Sequence, residues 1–196
     1  EEKEIVEVNP NKKASIDGTL QDIIIVVDAG HGGHDKGTSS QRGTDEKDLT
    51  LRTAQLLVDK LEAAGATVIM TRESDQFVAL RNRTQLKLTN GADAMISLHY
   101  DANLDSSVRG HTTFYYHEDQ LQLAQAINQE LAGLPTTDRG VQKGNFQIVR
   151  DGGHQTVLLE LGFLTNSAEE QLILTSQYQE RTAQAIYSGL LNYFNE

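Results

Sequence analysis

His31, His99 and Glu160 are the residues whose type and setting could do chemistry together. Each follows an aliphatic run: His31 in "IIIVVDAGHGGHDKG" (residues 23–37), His99 in "ADAMISLHY", and Glu160 after "TVLL" inside the apolar "TVLLELGFL". Ligand sites in open α/β sheets form just beyond the carboxyl ends of the strands. Three such ends would bring two imidazoles and a carboxylate to one sheet edge, a set suited to zinc. The chain has no cysteine, so thiolate ligands and disulfides are excluded and a metal would rest on His, Asp or Glu. Glu160 lies between Leu159 and Leu161. An isolated buried carboxylate costs several kcal/mol or takes up a proton, so this one needs a partner. A metal, a metal-bound water, Arg72 or Arg83 could serve. Each residue also has a plainer reading alone, as a hydrogen-bonded histidine in a turn or half of an ion pair. Together those readings need three coincidences, and a joint site needs none. Glu46, in "TDEKDLTL", is by itself explained as an acid in the first turn of a helix.

The glycine-rich segment fits no nucleotide site. The dinucleotide fingerprint fails at Asp35, where a third glycine belongs. A phosphate-binding loop fails at Thr38, where its lysine belongs. No G-x-S-x-G elbow is present, and His117-Glu118 is not completed to H-E-x-x-H because residue 121 is Leu.

The elements that must position these residues are read from periodicity. Strands are expected at 23–28, "ATVIMTR", "ADAMISLHY", "HTTFYYH", "GNFQIVR" and "TVLLELGFL". Helical spacing runs from Asp48 to a stop at Gly65, through "VALRNRTQLKLTNG" and "EDQLQLAQAINQELAGL", and over the C-terminal stretch as two helices. This alternation predicts a single α/β domain with a mostly parallel twisted sheet and helices on both faces. Residues 1–21 are polar and weakly patterned and read as a linker, leaving 22–196 as the domain. No secretion signal is recognised in this stretch.

The formal net charge of −11 disfavours nucleic acid and anionic lipid as general partners. It also disfavours long-range attraction to a polyanionic cell wall. The longest aliphatic run, Ile23–Val27, is far short of the ~20 residues that cross a bilayer, so membrane insertion is not expected.

The segments "IVVDAGHGGHDKG", "GTDEKDLTL", "TRESD" with "LRNR", "ADAMISLHYDAN", "DRGV" and "VLLELGFLTN" occur in an order and spacing that resemble the zinc-dependent N-acetylmuramoyl-L-alanine amidases of the amidase-3 family, over residues 22–194. The resemblance implies one zinc per chain on His31, Glu46 and His99, with Glu160 as the catalytic carboxylate. It implies hydrolysis of the amide between N-acetylmuramic acid and L-alanine in peptidoglycan, by zinc-activated water with a glutamate base. It also implies an extracytoplasmic setting, with any wall-binding module or activator outside this stretch. Arg72 and Arg83 occupy family positions, where each could equally hold loops together or meet a peptide carboxylate. Asp28 or Asp101 could orient a zinc-bound imidazole, or equally cap a turn. The proline that the family often carries before the catalytic strand is absent from "GGHQTVLLE", so His154 could line the substrate side there. The stretch from His99 to "HTTFYY" leaves no room for the inserted helix that plugs the site in some relatives. Other zinc hydrolases of wall peptides, such as carboxypeptidases or endopeptidases, share this chemistry. A non-catalytic peptidoglycan-binding domain is the reading from another class.

Overall fold

A computed structural model describes residue 9 and residues 11–196. Six strands form one sheet in the order β2-β1-β3-β6-β4-β5. They are β1 (Ile24–Ala29), β2 (Thr67–Met70), β3 (Ala94–Asp101), β4 (His111–Tyr115), β5 (Asp138–Lys143) and β6 (Thr156–Phe163). The pairs β2–β1, β1–β3, β3–β6 and β4–β5 are parallel, and β4 runs antiparallel to β6. The helices are α1 (Glu46–Ala63), α2 (Leu80–Thr89), α3 (Leu121–Leu131), α4 (Gln147–Asp151), α5 (Ser167–Ile173) and α6 (Ser176–Asn195).

The helices lie on both faces, and side-chain parity along the strands shows how. Ile25, Val27, Ile96, Leu98, Leu159 and Leu161 point into a large core with Leu49 and Leu57 of α1, Ile127 of α3 and Ile186 of α6. The intervening residues Val26, Met95 and Leu158 point the other way, into a smaller core with Ala92 and with Ile148 and Val149 of α4. Strands buried on both sides read as continuous aliphatic runs, as the sequence shows. His99 and Glu160 share the parity of Met95 and Leu158. They therefore project on the thinly covered face, in the carboxyl-terminal halves of their strands.

Two elements differ from expectation. "GNFQIVR" is the one-turn helix α4, not a strand. Its β-branched pair, Ile148 and Val149, is buried against the sheet rather than within it. The fifth strand is "DRGVQK", which is mainly polar and interrupted by Gly140. It lies at the sheet edge with β4 as its sole strand neighbour, so burial imposes no apolar pattern on it.

The packed unit also begins before residue 22. Ala14 N donates to Phe194 O at 3.1 Å, and Lys12 Nζ pairs with Asp93 Oδ2 at 2.7 Å. Leu20 is fully buried in the large core. Residues 11–21 are thus part of the domain; residues 1–8 and 10 of the expected linker lie outside the described residues. No described helix is long and apolar enough to cross a membrane.

Candidate metal centre

Three elements bring His31, Glu46 and His99 together. β1 ends at Ala29 and hands the chain to a turn in which His31 itself takes a positive φ of 62°. For a residue with a side chain this left-handed conformation costs about 1 kcal/mol or more. Glu46 is the first residue of α1, and His99 lies on β3. Their ligand-capable atoms all lie within 4.8 Å of one another.

Glu46 Oε1 is the hub, 3.1 Å from His31 Nε2 and 3.0 Å from His99 Nδ1. Neighbouring corners of a tetrahedral zinc site with bonds near 2.0–2.1 Å lie about 3.3 Å apart. The cluster is thus close to the span a small divalent cation requires. Glu46 Oε1 also accepts from Tyr100 N (3.0 Å), and Oε2 accepts from Thr38 N (2.9 Å). Burial pushes the Glu46 carboxyl up, but its hydrogen bonds to His31 and His99 outweigh this and bring it to about 2. Glu46 is therefore an anion here, with a metal-ligating role available to it that the helix dipole alone does not explain.

Two glycines make room. A Cβ on Gly30 would fall 2.3–2.7 Å from the His99 ring. A Cβ on Gly37, whose φ is 66°, would fall 2.4 Å from Glu46 Oε2 and 2.6 Å from His31 Cδ2.

Glu160 stands beside this cluster. It is the register partner of His99 across β3–β6 and of Thr112 across β4–β6. A cavity of about 350 Å³ contains His31, Glu46, His99, Asp101 and Glu160, with Phe146 at its side. Glu160 Oε2 is buried without a hydrogen-bond partner among the described residues. Burial first, then the charges of Glu46 and Asp101, raise its pKa well above the ordinary carboxylate value. The expected pairing with Arg72 or Arg83 does not form.

The other expected residues divide. Arg72 is buried and donates to the carbonyls of Ala29, Gly30, Lys47 and Ser74. Arg83 is buried and pairs with Asp28 Oδ1 at 2.7 Å, and it also donates to Ala29 O, His31 O and Val78 O. Both guanidiniums tie the β1 turn to its neighbours. Asp28 accepts from Thr71 Oγ1, Arg83 and Ser97 Oγ, so its oxygens hold the turn rather than an imidazole. Asp101 accepts from its neighbour Ala102 N and lines the cavity, also without touching an imidazole. His154 sits before β6, six residues from Glu160 and at the opposite end of the strand, where it contacts Asp119. It does not line the site.

The residue that does engage an imidazole is Asp35, which composition and motif reading passed over. Its Oδ1 lies 2.9 Å from His31 Nδ1 and accepts from Gly37 N at 3.1 Å. With Nδ1 turned to Asp35, Nε2 is the nitrogen that faces Glu46 and the cluster, where it could ligate a metal. Burial works against a charged His31, but Glu46 and Asp35 outweigh it and raise its pKa. The available signal was spacing: an acid four residues beyond the histidine, inside a loop that glycines fold back on itself.

The sequence model of the N-acetylmuramoyl-L-alanine amidase family Amidase_3 matches residues 25–192, which spans every strand but the first residue of β1 and includes the three residues of the cluster and Glu160. The chain belongs to the Amidase_3 family. This Amidase_3 domain is 40% identical over 191 residues to the probable cell wall amidase LytH of Staphylococcus saprophyticus, covering 96% of this chain and 62% of that protein. It thus spans less than two thirds of that relative. Among solved structures it resembles the catalytic domain of CwlV, an N-acetylmuramoyl-L-alanine amidase from Bacillus (Paenibacillus) polymyxa, with a TM-score of 0.86 and 31% identity over 88% of this chain and 98% of that one. It also resembles the CwlD amidase of Clostridioides difficile, solved in complex with the GerS lipoprotein, with a TM-score of 0.84 and 32% identity over 88% and 98%.

Proposed function

We propose that this domain hydrolyses the amide joining the lactyl group of N-acetylmuramic acid to L-alanine in peptidoglycan, and that it does so with one zinc ion. The observation that carries this is the His31–Glu46–His99 cluster beside a buried, partnerless Glu160 oxygen. The donor set of two imidazole nitrogens and one carboxylate oxygen is the kind that catalytic zinc takes, leaving a position for water or substrate. When bound, zinc supplies Lewis acidity at the substrate carbonyl and a water acidified toward neutrality.

The chain's own residues do the rest. His31, Glu46 and His99 would hold the ion, and Asp35 would fix the tautomer of His31. Glu160 takes the proton from water as the oxygen attacks the carbonyl carbon. As the C–N bond breaks, Glu160 returns that proton to the alanine nitrogen, so the products are a free carboxylic acid and a free amine. No covalent enzyme intermediate is required.

The substrate lies outside the cytoplasm, and the domain is read as acting there. Peptidoglycan is the partner. A wall-binding module or activating protein elsewhere fits the greater length of the LytH relatives and the GerS complex of CwlD.

Metal analysis of the purified domain gives close to one zinc per chain. Mass spectrometry of digested peptidoglycan gives new L-alanine amino termini with intact muramic acid. Release of free D-alanine would instead assign a carboxypeptidase, and full activity in a metal-free protein would end the mechanism.

A further inference from the structure

The two edges of the sheet are unlike. β5, at one edge, carries Asp138, Arg139 and Lys143, and its register against β4 shifts. Charges and bulges of this kind keep other chains from pairing with an edge. β2, at the other edge, reads Thr-Val-Ile-Met and has neither. Thr67 N donates to Ile23 O at 2.9 Å and Thr71 N to Val27 O at 3.1 Å, so residues of this parity face β1. Val68 and Met70 have the other parity and turn their N–H and C=O groups to the open edge. The strand is short, so these two residues offer two donors and two acceptors.

A groove beside the edge supplies a second means of grip. A cavity of about 370 Å³ lies between α1 and β2. Its apolar part is Val58, Val68 and Met70, all half-buried, and its exposed rim is Asp59, Glu62 and Glu73. None of these three carboxylates has a side-chain partner among the described residues. They do not converge as metal ligands do: the one such group among the described residues is His31, Glu46 and His99. The neighbouring cations are committed or distant. Lys60 pairs with Glu180, Lys47 with Asp75, and Arg72 is buried on carbonyls. Arg52 is exposed, but it stands about 10 Å nearer the N-terminus of α1 than Asp59 and does not line the groove.

We propose that the β2 edge and this groove dock an extended cationic segment of a partner protein by strand addition. Main-chain hydrogen bonds to Val68 and Met70 hold the segment alongside β2. Its alternate side chains enter the groove, apolar ones against Val58, Val68 and Met70, and Lys or Arg at the acidic rim. Charge decides against occupants from this chain. A second copy would set the same three carboxylates against themselves, in a molecule of net charge −11. Residues 1–8 carry four glutamates to one lysine. The proposal does not depend on which bond the metal site hydrolyses.

The probe is the capped peptide Lys-Thr-Val-Thr-Val-Thr-Lys, whose lysines and valines share one face of a strand. In an NMR titration of the domain, the Val68 and Met70 amides shift most, and their hydrogen exchange slows about tenfold or more at saturation. The same peptide with Glu for Lys binds about tenfold more weakly, the size expected of a few exposed ion pairs. The triple variant Asp59→Lys, Glu62→Lys, Glu73→Lys changes only exposed side chains and reverses this preference; its melting temperature confirms that it is folded. Absence of binding, equal binding of the two peptides, or shifts confined to α1 overturn the proposal. So does a dimer in sedimentation that Val68→Pro dissolves, which would give the edge to a second copy; the Val68 N–H faces outward, so proline there spares the ladder to β1.

Discussion

Replacing Arg83 by Met separates the two roles the sequence allowed it. The Arg83–Asp28 pair is 2.7 Å long, with side chains 3% and 1% exposed. Burial pushes the Asp28 carboxyl up, and Arg83 with Ser97 outweighs that and holds it below the usual carboxylate range. Removing the guanidinium leaves a buried anion with only Thr71 and Ser97 as donors, and strips the carbonyls of Val78 and His31 of a partner. Breaking one side of a buried pair costs about 3–5 kcal/mol, a large share of the ~5–15 kcal/mol that holds a domain together. At about 2–4 °C per kcal/mol for a chain of this size, melting falls by about 6–20 °C. Circular dichroism melts in saturating zinc and again in chelator check this without confusing metal linkage for fold stability. Asp28→Asn in the Arg83→Met background costs much less than in the wild type, because the stranded charge is gone. A stability loss below about 1 kcal/mol, coupled to a large rise in KM, would show that Arg83 meets substrate and that its role as a clamp is misread.

Glu160→Gln keeps about one zinc per chain by metal analysis and loses about 10²–10⁴ in kcat, the range for a general acid–base. Gly37→Ala weakens zinc binding by about tenfold or more in chelator competition, since its Cβ would displace Glu46 Oε2 or the His31 ring. His111 is buried against Thr136 and faces Asp138 at 3.4 Å; burial lowers its pKa despite that acid. Below pH 6.5 the unfolded chain takes up a proton that the fold refuses, so stability falls as pH drops from 6.5 toward the folded pKa. Urea midpoints measured from pH 8 to 5 show this decline, and His111→Asn flattens it.

His31, His99 and Glu160 stood out from their aliphatic runs, whereas Glu46 read as an ordinary first-turn acid and was singled out only by the family resemblance. Leu159 and Leu161 flank Glu160 with the opposite parity, which announces a carboxylate on the lesser face of a buried strand. His31 was marked by glycines that only a close approach explains. What was not legible depended on side-chain reach. Arg72 and Arg83 fit a loop-holding role and a substrate role equally well in sequence, and nothing local says that carbonyls of the β1 turn take up their donors. Asp35 looked like one acid among many, and its contact with His31 appears only when the loop closes. β5 was hidden because an edge strand needs no apolar pattern, and α4 was mistaken for a strand because Ile148 and Val149 are buried whichever element carries them.

The site is assembled from parts of unequal firmness. Glu160 lies on a strand paired on both sides, through His99 and Thr112, deep in the hydrogen-bonded ladder. Such positions open only with much of the domain. His31 and Glu46 stand instead at the two ends of the 30–45 loop, which among its described bridges has two isolated ones, Gly32–Asp35 and Ser39–Asp45. A cation shared by both halves would act as a latch on that loop. Chelation would then speed amide exchange in residues 30–45 while leaving β3 and β6 as slow as before, so the enzyme would lose its metal grip without losing the aim of its base.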